Sequence, residues 1–247
     1  MSHHAAATAA QRTDLLHRML LVRRLEQHRA IRPGDEAVAV GLVCALGPQD
    51  ALVAAGDDGP WRAVGAAAQL FGGDVTAARS PAEAVETARA KARGGGRRIV
   101  AVCVPGTDQV PERLADLLAS LSDGSVPQVE TGLPVLFCRG DRLAPGDPPL
   151  VPVLSVDAGD VEAVAGAVTA EIATLWSAAG PCLLGLRAPG PDHDPVALLA
   201  ARMRTDHQLD DNALRAIDRD AAVRVEALLD TLAVRRSPTV RGAGRAG

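Results

Sequence analysis

The sequence predicts an α/β fold in which a parallel sheet is flanked by helices, and three observations carry that prediction. Residues 99–104 (Ile-Val-Ala-Val-Cys-Val) and 134–138 (Pro-Val-Leu-Phe-Cys) are unbroken apolar runs, the pattern of strands buried on both faces. Helix signals recur between the apolar runs, so strands and helices alternate as they do when crossover helices join parallel strands. Hydrophobic residues make up 47% of the 247, enough to build a sizeable core rather than a disordered chain.

The elements follow in order. A flexible lead, 1–12, precedes a helix over 13–30 that Thr13 caps and that sets Leu15, Met19, Val22 and Leu25 on one face. Arg32-Pro33-Gly34 breaks it. A second helix starts at Asp35 or Glu36, runs through Ala45 and ends at Gly47-Pro48. Residues 51–55 form a short apolar strand, 56–60 a turn rich in Gly and Asp, and 61–70 a short helix closed by Gly72-Gly73. Ser80-Pro81-Ala82-Glu83 is a helix start: Ser80 caps, Pro81 fits the first turn, and Glu83 closes a capping box on a helix reaching Arg93. Strand 99–104, helix 111–121 and strands 134–138 and 151–156 come next. Asp160 caps a long helix to Ala178, Gly180-Pro181 stops it, and strand 182–186 follows. A last helix, capped by Asp210, runs from Asp211 to Val234. Ligands of such folds bind where loops leave the carboxyl ends of the strands, which directs attention to 105–110, 139–147, 157–160 and 187–194.

Composition excludes several classes. The net charge of −4 argues against nucleic acid as the main partner. Aromatic residues are 2% with no Tyr, so the core is aliphatic. The four cysteines, Cys44, Cys103, Cys138 and Cys182, are too far apart for a metal-type pair or a disulfide framework, and Cys103 and Cys138 read as small core residues. No apolar run reaches the roughly 18 residues of a membrane span. Residues 1–11 lack the basic-then-apolar order of a signal peptide, so the expected location is the cytoplasm. Gly94-Gly95-Gly96 precedes a strand and is therefore a turn, not a dinucleotide fingerprint, which needs the opposite order.

Five segments carry a resemblance. They are the opening helix 15–26; Gly34-Asp35-Glu36-Ala37-Val38; Val156-Asp157-Ala158-Gly159-Asp160-Val161; Gly180-Pro181-Cys182-Leu183-Leu184; and 209–218, beginning Leu209-Asp210-Asp211. In this order they resemble the alpha subunit of thiamine-diphosphate-dependent 2-oxoacid dehydrogenases, over about residues 13–232, with a basic flexible tail at 233–247. The resemblance implies a truncated thiamine-diphosphate-binding-like fold.

The chain departs from that family where the cofactor is held. The family grips magnesium and diphosphate with a Gly-Asp-Gly turn after one buried strand and an Asn after the next. Magnesium takes hard oxygen ligands, and a glycine turn lets backbone amides approach phosphate. Here strand 99–104 runs into Pro105-Gly106-Thr107-Asp108, with Pro105 in place of the metal-binding Asp, and the second position reads Arg139-Gly140-Asp141. Gly106 survives, and Asp108 and Asp141 are the remaining candidate oxygen donors, although solvated loop acids is the plainer reading of both. The early Tyr-Arg pair is absent from 55–59, and the glycine-rich segment has shrunk to Phe71-Gly72-Gly73-Asp74. His193 is the one candidate acid or base in the loop after the last strand.

The resemblance therefore implies a pseudo-subunit, not catalytic alone, that pairs with a beta-subunit-like chain as a heterodimer or heterotetramer. Two alternatives stand beside it. One is a divergent active subunit that binds thiamine diphosphate with magnesium and oxidatively decarboxylates a 2-oxoacid. The other is a member of a repurposed complex in a specialised pathway. In the resembled family the helix after Gly34 lies near the subunit contacts, so Gly41 is expected either at that contact or in an internal helix crossing.

Overall fold

A computed structural model of the chain describes residues 7–27, 34–55, 60–94, 99–104, 134–141, 154–177, 182–187 and 193–236. Along it lie α1 (Ala9–Gln27), α2 (Glu36–Ala45), β1 (Ala51–Ala55), α3 (Pro60–Phe71), β2 (Asp74–Ala78), α4 (Pro81–Arg93), β3 (Val100–Val104), β4 (Val135–Asp141), β5 (Leu154–Asp157), α5 (Val161–Ser177), β6 (Cys182–Arg187), α6 (Pro195–Thr205) and α7 (Asp211–Arg236). The six strands form one sheet in the order β2-β1-β3-β4-β6-β5, and every pair is parallel. The fold class is thus the expected one, with β3 and β4 at the centre.

Strand alternation explains why the central runs are apolar throughout. On one face Leu52, Ala54, Ala101, Cys103, Leu136 and Cys138 join a core built with α1, α2, α3 and α5. On the other face Val53, Val100, Val102, Val135 and Phe137 meet Ala84, Val85 and Ala88 of α4. A strand between two helix layers has no polar side to show.

Small residues let the first layer pack closely. Gly41 of α2 faces α5, where a Cβ at Gly41 would lie 2.8 Å from Val164 Cβ and 3.1 Å from the Ala165 amide nitrogen. Residues 36–42 are all buried within this one chain. Of the two placements expected for Gly41, the internal helix crossing is the one observed.

Several caps agree with the sequence. Ser80 Oγ accepts from Glu83 N at 3.2 Å, and Glu83 Oε2 accepts from Arg79 N at 2.8 Å. Asp160 Oδ1 accepts from the Glu162 and Ala163 amides, and Asp210 Oδ1 from Ala213 N at 2.7 Å. The start of α1 differs. Thr8 Oγ1 accepts from Gln11 N while Gln11 Oε1 accepts from Thr8 N, a reciprocal box one turn upstream of Thr13. The Thr13 hydroxyl donates to Ala9 O inside the helix, so 9–12 belong to α1 and not to a flexible lead. Two elements were not expected at all, the edge strand β2 and helix α6. The helix expected over 111–121 lies outside the described residues.

Candidate functional site

The strand order reverses between β1 and β3: the chain leaves β1 for β2 on one side and β3 for β4 on the other. The carboxyl ends at such a reversal form the default ligand crevice of an open parallel sheet. Register places Val104 beside Arg139, and Asp141 and Asp157 both beside Arg187, so these positions share the carboxyl edge. Asp141 ends β4 there. Gly106 and Asp108 lie outside the described residues. On the α2–α3 face Trp61, from the first turn of α3, is 3% exposed, and its Cζ2 lies 3.5 Å from where a Gly140 Cβ would be. An indole thus packs over the end of β4 on that face.

At the β5–β6 end, the described acids Asp157, Asp160 and Glu162 are engaged. Asp157 Oδ1 accepts from Gly159 N at 2.9 Å and shapes the turn into α5. The Ala158 amide donates to Arg187 O at 2.9 Å. Asp160, besides capping α5, accepts from Arg202 Nη2 at 2.6 Å. Burial works against its charge, but the Arg202 hydrogen bond and the two cap amides outweigh it and hold the carboxyl below its ordinary range. Arg202 also reaches Glu162, which accepts from Arg12 Nε at 2.8 Å, and Arg12 bonds Asp206 and Gln208. One network therefore joins α1, α5 and α6.

A second group lies around Glu36, which is fully buried. Its Oε1 accepts from Arg23 Nε at 2.6 Å and its Oε2 from Gly34 N at 2.8 Å. Gly34, at φ +128°, is where the glycine is required, because an L side chain there is strained. Arg23 spans onward to both oxygens of Asp194, at 2.6 and 3.2 Å. Asp194 in turn caps α6 through the Val196 and Ala197 amides. Burial again opposes the Asp194 charge, and Arg23 and the amides again prevail, so its carboxyl sits below the usual range. The candidate acid or base, His193, is half-buried, and its Nε2–H tautomer donates to Gly159 O at 3.3 Å. That bond ties the segment before α6 to the turn after β5.

Sequence reasoning found Asp160 and Asp194 as loop positions and Glu36 as part of a motif, but not the arginines that join them. Nothing in local spacing pairs Arg12 with Glu162 or Arg23 with Asp194. Cys103 and Cys138 are wholly buried partners in register on β3 and β4, as expected of core residues, and burial pushes the Cys103 thiol up. At the opposite, amino edge a cleft of about 260 Å³ holds Arg18 over the Phe71 ring beside Cys44. Asp50 there accepts from the Gly47 and Ile99 amides, a structural role. Among the described residues no three His, Cys, Asp or Glu side chains come together as a metal site, and no helix is long and apolar enough to cross a membrane.

No protein-family model matches the chain, and no curated protein matches it.

Proposed function

We propose that the chain is a non-catalytic, alpha-subunit-like partner of a thiamine-diphosphate-dependent 2-oxoacid dehydrogenase-type complex, pairing in the cytoplasm with a beta-like chain. The observation that carries this reading is how the carboxyl edge is used. Glu36, Asp157, Asp160 and Asp194 are all committed to caps, turns and ion pairs. The sequence after β3 also departs from what a magnesium–diphosphate group requires. Pro105, next after β3, has neither a carboxylate nor an N–H, so the position that carries the metal-binding Asp in the resembled family offers no anionic ligand here.

The test is calorimetric titration of the purified chain with thiamine diphosphate and magnesium, repeated after co-expression with a beta-subunit-like chain. The isolated chain gives no saturable heat in the micromolar range, and co-expression yields a soluble heterodimer or heterotetramer by light scattering. Micromolar binding by the isolated chain, or a monomer indifferent to the beta-like chain, overturns the reading. A second reading, a divergent active subunit, is favoured by one observation: Asp141 ends β4 on the carboxyl edge. Binding of cofactor by the pair that Asp141→Ala abolishes selects this second reading.

A further inference from the structure

We draw no further inference here: the strongest candidate, the apolar groove between the start of α1, helix α5 and edge strand β5, floored by Ala163, Gly166 and Ala170 beside exposed Leu154, is a stripe of small residues on an unpartnered face, and nothing in the structure shows what covers it.

Discussion

Replacing Gly41 tests the central helix crossing directly. A Cβ added there would stand 2.8 Å from both Val164 Cβ and Cγ1 and 3.1 Å from Ala165 N. Carbon atoms in contact prefer about 3.5–4.0 Å, so α2 and α5 must separate by roughly 0.7–1 Å. The Ala165 nitrogen is backbone and has no rotamer to escape into. Alanine gains about 0.5–1 kcal/mol over glycine inside a helix, whereas overpacking costs about 1–3 kcal/mol. Gly41→Ala is therefore expected to lose about 1–2 kcal/mol net, lowering the urea midpoint by about 0.5 M at a slope of 2–3 kcal/mol per M. Gly65→Ala and Gly166→Ala are the controls. Both glycines lie within helices, and a Cβ at either meets nothing within 4 Å. They should gain about 0.5–1 kcal/mol. The double variant Gly41→Ala/Val164→Gly removes the closest partner atoms and should fall short of the summed losses by about 1 kcal/mol. If Gly41→Ala stabilises the protein as much as Gly166→Ala does, the close crossing is wrong.

Three further outcomes are expected. Arg23→Ala leaves buried Glu36 with the Gly34 amide and removes the brace on Asp194, so it should cost about 3–5 kcal/mol, with Arg23→Lys intermediate; a loss under about 1 kcal/mol in urea unfolding would refute the buried pair. Asp160 and Asp194 have depressed carboxyls, so their stabilisation is complete above the unfolded value of about 3.9 and is lost as pH falls through the folded values. Stability measured from pH 6 downward should drop below about pH 4. The Asp160→Asn/Asp194→Asn double variant should show a shallower fall, and an equal slope would remove these groups as the cause. His207 holds φ +55° in the turn that ends α6, where Gln208 N donates to Met203 O at 2.8 Å and His207 N to Arg204 O. This is a helix end built for glycine, so His207→Gly should raise stability by about 0.5 kcal/mol, and a loss in thermal unfolding would count against the geometry.

The sequence revealed most clearly the elements that are either buried on both faces or locally capped. Runs 99–104 and 134–138 read as central strands because neither face meets water, and they are β3 and β4. Ser80, Asp160 and Asp210 announce their helices through side chains that act within three residues. β2 was missed because an edge strand need satisfy only half of that logic: Asp74 and Ala77 are exposed, Val75 and Thr76 half-buried, and five residues make no periodic pattern. α6 was missed although its signal was present. Asp194-Pro195 repeats the cap-then-proline start of Ser80-Pro81, and Val196, Leu199, Ala200 and Met203 follow at helical spacing. Treating Pro195 as the end of a loop hid it. The ion pairs were out of reach for a different reason: Arg12–Glu162 and Arg23–Asp194 span 150 and 171 residues, and no short-range rule links them.

Those long-range pairs bear on what the carboxyl edge does. A carboxyl that works as a general acid or base near neutral pH is tuned upward, by burial or by another acid, until it can exchange a proton there. Burial opposes the charge of half-buried Asp160 and, on a more exposed side chain, of Asp194, yet Arg202 and Arg23 reverse its effect and push both carboxyls down. In each the same carboxylate serves a helix cap and an ion pair: Asp194 Oδ1 accepts from Arg23 as well as from Val196 N and Ala197 N, while Asp160 caps through Oδ1 and accepts from Arg202 at Oδ2. The arginines come from α1 and α6, so protonation would also loosen the joints between helices of one layer. Residues wired in this way brace the helices of that layer against one another. That is the property a chain needs if its contribution to a complex is a stable face against which another subunit completes its own site.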